Sequence, residues 1–216
     1  TYAAPSMSLI GGASQSEYGA VCLRVGSSLG TNAVVTWYKP GVTLSPSQFT
    51  SLSISYRVGS TTDSPIGSNQ FIGAGLGNLV ANPTYYYVNP SSPANNYAGI
   101  FIIYDGNGQA PKLLVKNNPT NPSFTSFTGS GTLGWGGQNT YAKLIITLTK
   151  SGSTTNISAS ITDPASNTFT ASSSAIFGSD IFFTPIMMTY RFNGSSDIIE
   201  MYVDYMTLNG TLVSSR

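Results

Sequence analysis

The stretch that decides the fold runs from Ala142 to Ser172 and reads AKLIITLTKSGSTTNISASITDPASNTFTAS. Apolar and polar side chains alternate within each of its three runs, which is the pattern of strands that bury one face. Ser-Gly-Ser at 151–153 and Asp-Pro-Ala-Ser-Asn at 163–167 separate the runs with residues that favour tight turns. The stretch therefore predicts two consecutive β-hairpins.

Alternation of the same kind continues on both sides of this stretch, with Gly, Pro and Asn recurring about every ten residues. The Asp-Gly-Asn-Gly sequence at 105–108 accepts positive φ and predicts a third tight hairpin. Because no long helical pattern intervenes, we expect the strands to pair antiparallel in two packed sheets. The sequence thus predicts an all-β, antiparallel two-sheet β-sandwich, with strands at 6–11, 20–25, 34–38, 52–58, 71–76, 98–105, 112–116, 142–150, 155–162, 168–172, 182–191 and 198–208.

Two longer segments interrupt the predicted strands. Residues 84–96 begin with a Tyr-rich run and continue as a proline-broken loop, and residues 117–132 form a second predicted loop that contains Pro119 and Pro122. Loops of this length in a compact domain are usually functional or form interfaces. No composition break divides the chain, so we predict a single domain over 1–216, with a short N-terminal arm at 1–7 and a C-terminal tail at 209–216.

Charge is scarce in this chain. Asp, Glu, Lys and Arg make up 8% of its 216 residues, whereas roughly 25% is usual in soluble domains. The formal net charge is +1, so the chain offers no basic field to phosphates, and nucleic acid is not expected as a partner. Hydrophobic residues make up 40%, which suffices for a sizeable core, yet no apolar run is long enough to predict membrane insertion.

Hydroxyl and amide side chains take the place of the missing charges. Such a surface keeps its charge state as the pH falls, which favours an extracellular protein from an acidic setting. The chain starts at Thr1 without a Met, as a secreted protein does after signal-peptide removal. We therefore expect an extracellular, cell-surface or virion-surface location. The sequons at Asn156, Asn193 and Asn209 are then candidate N-glycosylation sites.

The residues of common catalytic sites are missing. The chain has no His and a single Cys, Cys22, so neither a Ser-His-Asp site nor a zinc site can be assembled. Glu200 and Asp204 share one face of a predicted strand. They lie roughly 13 Å apart along it, whereas glycosidases hold their carboxylates about 5–9.5 Å apart. We predict that the protein is not an enzyme and has no cofactor. Calcium is the metal that these residues exclude least firmly, and Asp105 and Asn107 are its candidate ligands.

Aromatic side chains in the loops are the candidates for ligand binding. Trp135, Tyr85 and Tyr87 offer ring faces that stack on the C–H faces of sugars. Trp37 is instead expected to face the core, since strand neighbours alternate sides. The polar side chains that would anchor a sugar beside these rings are Asn96, Gln138 and Asn139.

Several strands resemble those of a known fold family. SLIGGAS at 8–14 and YGAVCLRV at 18–25 are similar to the opening strands of concanavalin A-like jelly rolls, which include LamG domains and legume lectins. YAGIFIIYDGNG at 97–108 is similar to their central strand and hairpin, and MYVDYMTL at 201–208 to their final strand. The resemblance covers about the whole chain and implies a jelly-roll β-sandwich, but a fold does not by itself give a function.

Two functions are compatible with these features. The first is a non-catalytic structural subunit of an extracellular assembly, such as a filament, a sheath or a virion surface, with the chain itself as partner, because low net charge weakens the repulsion between copies. The alternative is a carbohydrate-binding module or lectin of the same fold, with a glycan as partner. A glycoside hydrolase is a distant third, because the carboxylates are too far apart.

Overall fold

The computed structural model describes residues 22–25, 33–38, 44–60, 70–77, 98–104, 110–117, 123–134, 141–179, 181, 183–191 and 199–212. These residues form β-strands and turns without any helix, so this part of the chain has no helix that could cross a membrane. In chain order, the strands are β1 (Cys22–Val25), β2 (Ala33–Tyr38), β3 (Ser51–Ser60), β4 (Gln70–Gly77), β5 (Ala98–Tyr104), β6 (Lys112–Asn117), β7 (Ser123–Ser126), β8 (Thr128–Gly129), β9 (Ala142–Ser151), β10 (Thr154–Thr162), β11 (Thr168–Ala175), β12 (Thr184–Arg191), β13 (Ile199–Leu208) and β14 (Thr211–Leu212).

The two hairpins predicted from the sequence are confirmed and join β9, β10 and β11. Alternate side chains of β9 and β10 are buried, as their sequences predict. Gly152 in the first turn has a φ of 61°, which only glycine adopts without steric cost. The registers place Ala159 of β10 opposite Ile146 of β9 and Ala171 of β11. One face of all three strands is therefore mainly apolar and lies on the core.

The strands form two antiparallel sheets. The larger has the order β1-β13-β3-β9-β10-β11-β8, with β14 also pairing with β13, and the smaller has the order β2-β12-β4-β5-β6-β7. Every pairing between neighbouring strands is antiparallel in the described residues. The all-β two-sheet sandwich is thus confirmed, including the antiparallel pair β5–β6 that was predicted on either side of residues 105–108.

The core lies between the two sheets and draws apolar side chains from both. Tyr56 of β3 is fully buried, and its hydroxyl donates a hydrogen bond to the backbone oxygen of Gly75 in β4. This bond joins the larger sheet to the smaller one inside the core. An aromatic cluster lies at one side of the same core, where the rings of Phe177 and Phe183 meet edge to face with centroids 5.0 Å apart.

A β-bulge changes the alternation of β13 in a way that the sequence did not predict. The register with β3 shifts between Val203 and Tyr205, so Asp204 is an extra residue. Val203 and Met206 are therefore both buried, although three positions separate them. Strict alternation would have placed Tyr205 on the same face as Val203; instead Tyr205 is opposite Ser55, on the outer face of the sheet.

Two parts of the chain are more ordered than the sequence predicted. The loop predicted over 117–132 contains β7, which pairs with β6, and β8, which pairs with β11. β7 has four residues, which is enough for a few backbone hydrogen bonds to β6. The buried Phe127 lies between β7 and β8. The segment predicted as a C-terminal tail begins with a turn at Asn209 and then pairs as β14 with β13.

Several predictions fall outside the described residues. They are the strand at 6–11, the N-terminal arm at 1–7, the loop at 84–96 and the turn at 105–108. The backbones of Cys22 and Trp37 lie in β1 and β2.

Candidate functional site

The outer face of β9, β10 and β11 is covered with hydroxyl side chains. The inward positions of these strands are mainly apolar, with Thr155 and Ser173 among the exceptions, so the alternate residues, which are mainly Ser and Thr, must lie on the outer face. The registers align these outer residues in three rows across the strands. They are the first row (Ile145, Ser160, Thr170), the middle row (Thr147, Ser158, Ser172) and the last row (Thr149, Asn156, Ser174).

This face is concave and holds two grooves. The first has a volume of ≈ 470 Å³ and lies over the first and middle rows. The second has a volume of ≈ 720 Å³ and lies over the middle and last rows. Ser158 and Ser172 line both grooves, so the two adjoin along the middle row. We call the two adjoining grooves, with the three rows as their floor, the hydroxyl furrow.

The wall of the hydroxyl furrow comes mainly from the other sheet. β7 belongs to the smaller sheet but approaches β11 at the edge of the sandwich. Ser123 lines the second groove, whereas Thr125 and Ser126 line the first, next to Thr128 of β8. The segment that was predicted as a loop therefore forms one side of the furrow.

Among the described residues, the lining of the hydroxyl furrow carries no formal charge. Its lining consists of Ser, Thr, Ala and Ile side chains together with the amide of Asn156. Thr147 shares a hydrogen bond of 3.0 Å with Ser53 on the adjacent strand. Asn156, Ser158 and Ser172 are exposed, and their side chains make no hydrogen bond with any other part of the described chain. These groups can therefore exchange water for the hydroxyls of a ligand.

Charged groups lie on the same outer face but beyond the furrow, on β3, β9 and β13. The Asp204 carboxylate accepts hydrogen bonds of 3.3 Å from both Arg57 and Ser55. The Lys143 ammonium lies 5.4 Å from the centre of the Tyr205 ring, which is a cation–π geometry. Asp204 is thus part of an ion pair at the bulge.

The turn between β10 and β11 is built around a buried carboxylate. Asp163 accepts hydrogen bonds from the backbone N–H of Asn167 (2.8 Å), from the side-chain amide of Asn167 (3.0 Å) and from the backbone N–H of Gly134 (3.2 Å). Burial alone would raise the pKa of Asp163, but the hydrogen bonds from Asn167, Gly134 and Ala165 together hold the pKa below its ordinary value. The carboxylate therefore links the turn to the segment after β8 that contains Gly134.

No family model and no curated protein matches this sequence. Among solved structures, a legume lectin-like domain from Entamoeba histolytica matches with a TM-score of 0.58 and 12% identity, covering 94% of this chain and 86% of that one. This protein has the fold of the legume lectin-like, concanavalin A-like sandwiches.

Two further structures with the lectin-like fold match nearly as well. Peanut lectin matches with a TM-score of 0.55 and 9% identity, covering 97% of this chain and 90% of that one. The carbohydrate recognition domain of Emp46p matches with a TM-score of 0.55 and 11% identity, covering 97% of this chain and 88% of that domain. The resemblance stated from the sequence is thus confirmed at the level of the fold.

The predicted sugar-binding residues lie outside the described part of this lectin-like fold. They are Tyr85, Tyr87, Asn96, Trp135, Gln138 and Asn139. Gly134, which Asp163 binds, directly precedes Trp135 in the chain. The candidate calcium ligands Asp105 and Asn107 are also outside, and the described residues hold no group of three His, Cys, Asp or Glu side chains that could bind a metal.

Two of the three candidate glycosylation sites can be placed. Asn156 is exposed in the last row of the hydroxyl furrow. Asn209 is exposed in the turn before β14, where its side-chain oxygen accepts hydrogen bonds from the Thr50 N–H (2.7 Å), the Thr50 hydroxyl (2.8 Å) and the Ser51 N–H (3.0 Å). Asn193 lies outside the described residues. Glycosylation at these positions stays a prediction.

The sequence reasoning concentrated on aromatic loops and missed the hydroxyl furrow. The signal was nevertheless present in the stretch 142–172, because the polar members of its alternation are nearly all Ser and Thr. Two hairpins in succession necessarily bring those residues to one face of three adjacent strands. The wall from β7 could not be inferred in this way, since it belongs to the other sheet.

Proposed function

We propose that this protein is a non-catalytic carbohydrate-binding protein that holds a neutral glycan in the hydroxyl furrow. The observation that carries the proposal is the uncharged, hydroxyl-lined furrow on the outer face of a lectin-like sandwich. The comparisons favour this function over the structural subunit that the composition predicted.

The chemistry of the furrow selects a class of ligand. A sugar presents many neutral donors and acceptors, and these match hydroxyls and an amide that can each donate and accept. A phosphate, sulfate or uronate would lose its hydration without gaining a cationic partner in the furrow, which is costly. Ile145 supplies an apolar contact in the first row for the C–H face of a sugar ring.

The non-catalytic part of the proposal is supported by Asp163 and Asp204, the two carboxylates whose side chains the structure describes. Asp204 is paired with Arg57 outside the furrow, and Asp163 is saturated by hydrogen bonds in its turn. Neither carboxylate lines the furrow. A bound glycan would therefore meet hydroxyls and an amide on its floor rather than the acid and base of a glycosidase.

An array of neutral and acidic glycans tests this function with the purified full chain. We expect retention on neutral oligosaccharides and weaker retention on matched glycans that carry a uronate or a sulfate. Binding to acidic glycans alone would contradict the assignment to the furrow, and binding to no glycan would contradict the function. Electron microscopy of the same preparation tests the structural-subunit alternative, for which regular polymers are the expected result.

A further inference from the structure

The three rows of the hydroxyl furrow repeat along the strands, and this repeat bears on the shape of the ligand. Successive rows are two residues apart on each strand, which is roughly 6.7 Å, and neighbouring strands are about 4.8 Å apart. The distance from Ser160 in the first row to Asn156 in the last is therefore about 13 Å along β10. This length exceeds what a single sugar ring can contact.

The hydroxyl surface also runs from one groove into the other. Ser158 and Ser172 line both grooves, and the strand registers place the middle row directly between the first and the last rows. Beyond the first row, Thr162 and Thr168 bond to each other through their hydroxyls (3.3 Å) and line neither groove. The free hydroxyls of β10 and β11 thus run along the strands and stop at this pair.

We propose that the hydroxyl furrow binds an internal stretch of a linear neutral oligosaccharide, lying parallel to β10 across all three rows, rather than one terminal sugar. This inference rests on the proposed function and specifies its ligand. Repeating rows match a chain of repeating units, because each row offers the same kind of hydroxyl contact to successive residues of the chain.

The two ends of the furrow differ. The first row contributes the apolar side chain of Ile145, whereas the last row contributes the amide of Asn156. The C–H face of a sugar ring can pack on Ile145, and a sugar hydroxyl can bond to the Asn156 amide. The two residues are therefore expected to contribute to specificity.

The test is a series of neutral oligosaccharides from one to six residues, titrated calorimetrically into the full chain, with the parent glycan chosen from the array. We expect affinity to rise by about tenfold or more as the ligand grows to reach all three rows and then to level off, since two or three further hydrogen bonds give a gain of this order. Asn156→Arg should remove most of this gain.

Thr162→Arg is the matched control, because Thr162 lies on the same strand and the same face but outside the furrow. It should preserve the whole length dependence. A monosaccharide that binds as tightly as the hexasaccharide, or a length dependence that Asn156→Arg leaves intact, would overturn the extended-chain inference but not the proposed function. Failure to bind any member of the array would overturn both.

Discussion

The backbone N–H of Gly134 donates a hydrogen bond of 3.2 Å to the carboxylate of Asp163. The two residues are 29 positions apart, and the bond connects the turn between β10 and β11 to the loop that follows β8. Asn167 binds the same carboxylate with its backbone and side-chain nitrogens. A single buried charge therefore organises both segments at one end of the strands that form the furrow.

Asp163→Asn should destabilise the protein by about 2–3 kcal/mol at pH 7. A carboxylate accepts hydrogen bonds through both oxygens, whereas an amide accepts only through its single oxygen. The pKa of Asp163 is lowered in the folded protein, so its stabilisation is present at neutral pH and declines as the pH falls below the unfolded value of about 3.9. Urea unfolding at pH 7 and at pH 3 measures this. The difference in free energy of unfolding between wild type and variant should be smaller at pH 3 than at pH 7. An equal difference at both pH values would contradict the role of the charge.

Tyr56→Phe removes the hydroxyl that bridges the two sheets while leaving the ring in the core. We expect a loss of about 1 kcal/mol in the free energy of unfolding, since the hydrogen bond to the Gly75 oxygen is buried. Equilibrium urea denaturation provides the measurement. An unchanged slope of the free energy of unfolding against urea concentration would indicate that the variant exposes the same surface on unfolding as the wild type. A variant as stable as the wild type would show that this bond contributes nothing net.

Thr155→Val should stabilise the protein, whereas the two substitutions above should destabilise it. Thr155 is fully buried on β10, and its hydroxyl has no hydrogen-bond partner among the described residues. Valine has nearly the same shape without the polar atom, so the substitution should raise the free energy of unfolding by about 1 kcal/mol. Thermal unfolding would register this as a higher Tm. A lower Tm would mean that the hydroxyl has a partner in solution.

Asn209 combines a left-handed backbone with three accepted hydrogen bonds, so two substitutions separate its roles. Its φ is 52°, and its side-chain oxygen binds Thr50 and Ser51. Asn209→Ala should cost about 1–2 kcal/mol, because it loses the acceptor and places alanine in a strained conformation. Asn209→Asp keeps the acceptor and tolerates this conformation, and it should cost much less in the same unfolding assay. Equal losses for the two variants would rule out this explanation.

Much of the fold could be predicted from local pattern. The alternation in β9, β10 and β11, together with the Gly152 turn, sufficed to place the furrow residues Thr147, Ser158 and Ser172 on one face. These relationships are local in sequence, because hairpins connect strands that are neighbours in the chain.

The remaining features depend on contacts between distant parts of the chain. The bulge at Asp204 follows from the pairing of β13 with β3, far away in the sequence, and the pattern MYVDYMTL does not reveal an extra residue. Likewise, Ser123 and Thr125 line the furrow because β7 pairs in the smaller sheet and then meets β11 at the sandwich edge. Alternation specifies faces within a strand, but it does not specify which distant segment closes an edge.

The most direct test of the account compares Ser158→Arg with Thr162→Arg in glycan binding. Both substitutions place the same charged side chain on the outer face of β10, but only Ser158 lies in the furrow, in the row shared by both grooves. Calorimetric titration with a neutral oligosaccharide should show at least about a tenfold loss of affinity for Ser158→Arg and wild-type affinity for Thr162→Arg, with both variants folded as judged by their Tm. Wild-type affinity in Ser158→Arg would contradict the central claim that the hydroxyl furrow is the glycan-binding site.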